Sequence, residues 1–345
     1  MAIFTGERRT VPPPRLCITN MIVKSDFTPA WWLRGAHAQT LWPYLFGDKT
    51  VPGLAPERLE LPDGDFVDLC WTTGNDINDA TPVVAVFHGL EGNIHSPYAA
   101  RVMTTVRNQS WRGVFMHFRG CSGEPNRGRG SYHSGHTTDI AFLLYTLRRR
   151  FPRARLFAVG YSLGGNALLK YLGEQGTAAP LVAAAAVSVP FLLADGAERL
   201  NRGLSRLYQR HLISLLQRKV LRKVGLGRLD FEPAEVARLK TFYLFDDVVT
   251  APLHGFAGAD DYYARCSSRR YLRDIRTPTL ILHAHDDPFM TPASIPGSEE
   301  LPDQVRLELS EKGGHVGFIS GSLPWRPDYW LERRLLSYFL TFAQD

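Results

Sequence analysis

Cysteine is scarce: Cys17, Cys70, Cys121 and Cys266 are the only four in 345 residues. None sits at CxxC spacing, which excludes a zinc finger and a disulfide framework. Long apolar runs are missing as well. A membrane span needs roughly 18–20 apolar residues, and the longest candidate, residues 182–194, is shorter and interrupted by Pro190. The N-terminus has Arg8, Arg9 and three consecutive prolines where a signal peptide would have an apolar core, so a cytoplasmic, reduced protein is expected. There is no internal repeat and no low-complexity segment. Acidic residues are slightly outnumbered, 34 to 40 Lys and Arg, for a net charge of +6. The basic residues alternate with apolar ones and form no nucleic-acid module, so nucleic acid is not expected as a partner. What remains is a chain with 44% hydrophobic and 21% charged residues, able to bury a large core.

Its periodicity is that of alternating strands and helices. Arg58–Leu61 and Phe66–Leu69 flank Pro62-Asp63-Gly64-Asp65 and predict a hairpin. Val83–Phe87, the run ending at Phe118, Leu156–Val159 and Leu181–Val189 are near-continuous apolar stretches, as in parallel strands buried on both faces. Helical stretches separate them, near residues 97–109, 137–150 and 165–172. The alternation predicts a doubly wound, mostly parallel sheet. Residues 1–55 read as an irregular N-terminal extension whose Trp31, Trp32 and Trp42 pack on the body, and residues 56–345 as the main domain. From about 195 to 270 the alternation breaks into a basic helical insertion. Leu200, Leu204, Leu207, His211 and Leu215 recur there at helical spacing. Such an insertion can form a lid. Its expected seat is on the body, with peripheral contact to a lipid surface as the alternative. Strands resume at Thr279–Leu282 and Val305–Leu309, and a final helix is expected over about 327–342.

One pentapeptide organises the chain: Gly160-Tyr161-Ser162-Leu163-Gly164, between the strand at 156 and the helix that follows. Strand, sharp turn, helix, with serine at the apex, is the setting of a nucleophile elbow. A side chain at position 160 or 164 would crowd the neighbouring strand or helix, so both are glycine. A serine hydroxyl is a weak nucleophile until a base takes its proton, and the base needs an orienting acid. In this arrangement the order is Ser, then Asp or Glu, then His. After the strand at 279 come His283, His285, Asp286 and Asp287, and after the strand at 305 comes Gly313-Gly314-His315-Val316-Gly317. His315 is the expected base. Asp286 is the preferred acid, because a residue close to the strand end is well placed to turn inward. Asp287, before Pro288, is the alternative and is expected to cap the next turn. The oxyanion donors are expected to be the backbone N–H groups of Leu163 and Leu90. His88 is expected to shape its loop.

Two other groups have metal-ligating residue types. His133, His136 and Asp139 lie in a glycine-rich loop entering a helix, where such residues commonly bond backbone. His283, His285 and Asp287 lack the closing histidine of a His-x-His-x-Asp-His site, with Pro288 in its place. No metal and no cofactor is expected.

Several segments together resemble one family. They are His37-Ala38-Gln39-Thr40-Leu41, His88-Gly89-Leu90-Glu91-Gly92, His117 to Glu124, Tyr132 to Gly135, Gly160 to Asn166, Asp286-Asp287-Pro288-Phe289 and Gly313 to Phe318. The chain is similar, from about residue 25 onward, to the YheT-like branch of the α/β-hydrolases. That branch is related to animal abhydrolase-domain lipases and yeast ethanol acyltransferases. His136 departs from the pattern, since relatives commonly have an acidic residue there. The resemblance implies an α/β-hydrolase fold, with helices on both faces of the sheet and a helical lid. It implies a serine esterase acting on short- to medium-chain or monoacylglycerol-like esters, or an acyltransferase to an alcohol. By carry-over, Ser162 is the nucleophile, Asp286 the acid and His315 the base. A small-molecule ester is the expected partner; a non-catalytic scaffold is the contrasting reading.

Overall fold

The structure is a computed structural model that describes residues 21–51, 53–73 and 78–343. Cys17, Arg8, Arg9 and the proline run lie outside the described residues. The strands are β1 Ile22–Lys24, β2 Leu54–Glu60, β3 Phe66–Thr72, β4 Val83–Phe87, β5 Arg112–His117, β6 Leu156–Tyr161, β7 Ala183–Val187, β8 Thr279–Ala284, β9 Val305–Ser310, β10 Ile319–Leu323 and β11 Arg326–Tyr329. The helices are α1 Ala36–Phe46, α2 Pro97–Asn108, α3 Thr138–Arg150, α4 Leu163–Gln175, α5 Leu193–Arg199, α6 Ser205–Gly225, α7 Pro233–Arg238, α8 Phe242–Phe245, α9 Ala251–Leu253, α10 Ala259–Cys266 and α11 Trp330–Leu340.

Nine strands form one sheet in the order β1-β9-β8-β7-β6-β4-β5-β3-β2. All neighbours are parallel except β2–β3 and β3–β5. The period-two pattern sorts the core into two layers. Val83, Ala85 and Phe87 of β4 face one cluster with α3 and α4, while Val84 and Val86 face the other with α2 and α11. A third apolar cluster is built wholly from residues 193–266. Among the described residues no helix is long and apolar enough to cross a membrane.

Three expectations need correction. The segment before residue 55 is not irregular where it is described. β1 pairs with β9, and α1 packs its Gln39 against the β10 strand start: Gln39 Nε2 donates to Leu33 O (2.7 Å) and Ile319 O (2.9 Å), and Oε1 accepts from Ile319 N–H (2.6 Å). A three-residue strand is too short to show alternation, and its partner lies at the far end of the chain. Of the tryptophans, Trp32 and Trp42 meet edge-on inside a small cluster, but Trp31 is 64% exposed. Next, most of the leucine stripe of the basic insertion is not its buried side, although Leu200 is buried. Leu204 and Leu207 are exposed, whereas Ser205, Gln209, Ile213 and Lys223 of α6 are buried. The polar members each have partners: Ser205 donates to Pro288 O at 2.7 Å, and Lys223 Nζ donates to the carbonyls of Gly128 and Gly130, both at 2.9 Å. Finally, the last helix starts at Trp330, after the unanticipated β10–β11 hairpin. Pro327 is tolerated in β11 because a two-stranded ribbon leaves one edge of each strand unpaired.

Buried histidines shape the loops at the carboxyl edge of the sheet. His88 Nε2 accepts the Phe118 N–H (3.0 Å) and its Nδ1 faces Gly89 O (2.6 Å), a pattern that only the neutral ring satisfies. His117 Nε2 likewise accepts the Ile94 N–H at 3.2 Å, with Nδ1 toward Asp68 O. Burial pushes His88 down to about 3, and His254 and His283 down to about 4.

Unfolded, each of these histidines takes a proton near pH ~6.5, so between that value and the folded one the unfolded chain binds more protons and stability falls with falling pH. Each group contributes up to roughly 1.4 kcal/mol per pH unit across its window. Urea midpoints taken from about pH 7.5 down to about pH 4.5 are expected to drop steeply; a flat profile contradicts this assignment. Gln39→Leu leaves the Ile319 N–H and the Leu33 carbonyl unpaired, while Ile319 O keeps the Ala30 N–H, and is expected to cost about 2 kcal/mol in denaturant unfolding. Unchanged stability would show that the α1 clamp is not needed.

Candidate active site

β6 ends and α4 begins within two residues, and Ser162 lies between them at φ 51°, ψ −119°. A serine resists that backbone region, so the surroundings must hold it there. Its N–H donates to Val187 O on β7 (2.8 Å) and its carbonyl accepts the Asn166 N–H (3.0 Å). The flanking glycines are required by close approach. A Cβ at position 160 would lie 2.4 Å from Gly164 O, and one at position 164 would lie 2.5 Å from His88 O and 2.6 Å from Phe87 O. Asn166, fully buried, ties the first turn of α4 to two loops: Nδ2 donates to Ser134 O (2.9 Å) and Cys266 O (2.8 Å), and Oδ1 accepts the Ser268 N–H (2.9 Å).

The His315 loop reaches Ser162 from the end of β9. His315 Nε2 is 2.9 Å from Ser162 Oγ, and Nδ1 is 2.8 Å from Asp287 Oδ2. Facing a carboxylate, Nδ1 bears the proton, which leaves Nε2 to accept from the serine hydroxyl. The loop is fixed from three sides. Thr40 Oγ1 on α1 accepts the His315 N–H (2.9 Å), Ser188 Oγ accepts the Val316 N–H (3.0 Å), and Asp286 Oδ1 accepts the Gly314 N–H (2.9 Å). Val316 and Phe318 have φ 58° and 49°, so the strain typical of functional loops is concentrated here as well as at Ser162.

The acid beside His315 is therefore Asp287, and the preference for Asp286 is corrected. β8 runs to Ala284, and a turn follows in which the Asp287 N–H returns to Ala284 O at 3.2 Å. That turn carries Asp287 back over the strand end, 4% exposed, while Asp286 is left to bond the Gly314 backbone. The expected turn-capping role of Asp287 is also present: its Oδ1 accepts the Phe289 N–H at 2.8 Å while Oδ2 takes the imidazole. Burial raises the Asp286 carboxyl above its ordinary range.

Leu163 is the first residue of α4, so its N–H has no acceptor within the helix. Leu90 follows Gly89, whose N–H is taken by Tyr98 OH (2.9 Å), and precedes Glu91, whose N–H is taken by Tyr132 OH (2.7 Å). Lys219 of α6 secures this loop from outside, with Nζ 2.6 Å from Glu91 Oε1. Leu90, Leu163, Ser162 and His315 all line a cavity of about 160 Å³ whose other walls come largely from residues 193–263. One wall has Asp246, in a π-helical turn, where burial lifts its carboxyl to about 6 while Thr250 and Tyr263 hydroxyls bond it at 2.6 and 2.8 Å.

The histidine-rich stretches do different work. Arg119 grips both oxygens of Asp139, at 2.6 and 2.8 Å, and His136 stands 3.5 Å from one of them. His283 is buried on β8. Among the described residues no group of three His, Cys, Asp or Glu side chains is arranged to hold a metal ion. Thr40, Ser188, Asn166 and Lys219 were not singled out from sequence. Thr40 and Asn166 had a signal, as members of the His37–Leu41 and Gly160–Asn166 segments.

A sequence profile of the alpha/beta hydrolase fold family matches residues 82–322. The chain is 45% identical over 322 residues to YheT of Escherichia coli (strain K12), a protein named as a candidate esterase, covering 93% of this chain and 94% of that protein. It is 29% identical to phospholipase ABHD3 of Mus musculus, over 89% of this chain and 77% of that protein. Among solved structures, the Pyrococcus furiosus esterase Pf2001 superposes with a TM-score of 0.54 at 14% identity, covering 86% of this chain and 99% of that one. Est1E of Butyrivibrio proteoclasticus does so with a TM-score of 0.53 at 13% identity, covering 84% and 100%. At such identities the likeness is one of fold. Sheet order, elbow, profile and close relative agree: the chain belongs to the α/β-hydrolase family, in its YheT-like branch.

Proposed function

We propose that the chain is a carboxylic ester hydrolase that works through an acyl-enzyme. The observation that supports this most is the unbroken row from Ser162 Oγ to His315 Nε2 and from His315 Nδ1 to Asp287 Oδ2, at 2.9 and 2.8 Å, at the end of an apolar cavity. Ser162 attacks the ester carbonyl as His315 takes its proton. Asp287 keeps the imidazole in the required tautomer and stabilises the imidazolium. The N–H groups of Leu163 and Leu90 receive the oxyanion; losing one such donor typically costs about 3 kcal/mol of transition-state stabilisation. His315 returns the proton to the leaving alcohol, and water releases the acid by the same steps in reverse. Residues 193–266 act as a lid that keeps this chemistry dry. The cavity, about 160 Å³, lies below the ~300–1,000 Å³ usual for drug-sized ligands, which favours a short- to medium-chain acyl group.

The relatives' names agree with ester chemistry but differ in substrate. One, at 28% identity over 85% of this chain, is the Saccharomyces cerevisiae medium-chain fatty acid ethyl ester synthase/esterase 2. An alcohol in place of water would make the same acyl-enzyme a transferase, so ester formation is the second reading.

A fluorophosphonate probe should label the wild-type protein and not Ser162→Ala. Absence of labelling on the wild type would favour a scaffold without catalysis. In hydrolysis of p-nitrophenyl esters of graded chain length, Asp287→Asn is expected to lower kcat by about 10⁴-fold. Asp286→Asn is expected to lower it by less than about tenfold, through loosening of the Gly314 contact. The reverse ranking would restore Asp286 as the orienting acid.

A further inference from the structure

The two hydrogen bonds of His315 run along the line through its two nitrogens. They fix the imidazole along that line but do little against rocking about it. A flat contact on the ring face supplies that constraint, and the structure has one. The Phe289 ring lies on the imidazole with centroids 4.0 Å apart and planes 15° apart. Tyr208 lies on Phe289 at 5.0 Å and 25°, and His37 on Tyr208 at 5.7 Å and 27°. The column is closed by His37 Nδ1, 3.0 Å from Tyr208 OH. Its members come from four separate places: the loop after β9, the loop after β8, α6 and the first turn of α1. Only Tyr208 belongs to the segment inserted between β7 and β8.

We propose that Phe289 and Tyr208 are positioning residues for ester cleavage: their stacked rings hold the His315 imidazole flat between Ser162 and Asp287, and make its alignment depend on the seating of α6. This rests on the reading of His315 as general base. The stack also has an electrostatic consequence. An aromatic face attracts a cation, and the imidazole becomes one only as it takes the serine proton. Phe289 therefore favours the charged ring over the neutral one. A leucine at 289 would fill space without offering that face.

The charged and titratable groups around the imidazole are Asp287 at Nδ1, Asp286 and Lys312 on the adjoining loops, buried His283 on β8, and His37 two rings away with Arg199 beside it. Tyr208 also faces Asp287, but none of these groups changes in Phe289→Leu, so a shift in that variant's pH profile reports the ring itself. Phe289→Leu is expected to lower kcat about tenfold with KM within about twofold. The acidic limb of its kcat/KM profile should move to lower pH by roughly half a unit, because the protonated imidazole has lost its partner. Phe289→Tyr, which keeps the face, should restore both. Tyr208→Leu should lower kcat in the same direction and Tyr208→Phe should restore it. If Phe289→Leu fails to fold by circular dichroism, the Tyr208 pair decides, since Tyr208 is only partly buried, at the edge of its cluster.

Titration of the His315 ring proton by NMR in the Ser162→Ala background reads the same shift without turnover. A wild type that neither hydrolyses esters nor takes the serine probe sinks the catalytic reading, while the titration still judges the stack. An active wild type whose Phe289→Leu and Tyr208→Leu variants keep kcat within about twofold, with the acidic limb unmoved, overturns the positioning role.

Discussion

Ser162 occupies a backbone conformation that serine avoids, and the fold is arranged to keep it there. At φ 51° the residue lifts its hydroxyl clear of the sheet. The cost, of order 1–3 kcal/mol, is met by surroundings that leave no alternative. β7 takes the Ser162 N–H, Asn166 anchors the first turn of α4, and the glycines at 160 and 164 let helix and strand approach where a Cβ would collide. The sheet order follows the same need. β6 sits between β7 and β4 near the middle, so the elbow is braced from both sides.

The second half of the site is held from the chain's far end. The His315 loop has little internal structure and several left-handed residues, yet α1 bonds it at Thr40 and bonds the strand after it through Gln39. A segment distant in sequence by 275 residues thus sets the imidazole's height above the serine. The insertion between β7 and β8 contributes from above: Lys219 pins the loop of Leu90, and Lys223 clamps the glycine-rich loop by three carbonyls. These two lysines, Lys223 buried and Lys219 partly so, explain part of the basic character of α6 that composition alone leaves open.

Much of this was legible in the residues. The βαβ alternation, the elbow at Gly160–Gly164 and the late Gly-Gly-His each have a local physical signature. The choice between Asp286 and Asp287 did not, because it turns on where β8 ends and how the next turn rotates, a matter of two residues that composition leaves undetermined. The leucines of α6 misled for another reason. Apolar spacing finds a buried face only when burial is apolar, and here Ser205, Gln209 and Lys223 are buried with hydrogen bonds to Pro288, Phe242 and the glycine-rich loop, all far away in sequence. β1 and the β10–β11 hairpin were missed because such short elements have too few residues to show a period, and α1 because Pro43 lies inside it and it buries Gln39 and Thr40 while Leu41, Leu45 and Phe46 are exposed.

The central claim is that Ser162 takes an acyl group. The direct measurement is intact-protein and peptide mass spectrometry after rapid mixing with an activated short-chain ester and acid quench. The account predicts a transient mass increase equal to one acyl group, located on the peptide that contains Ser162. An acyl group found only on another residue, or turnover with no covalent species at any mixing time together with full activity in Ser162→Ala, would contradict it.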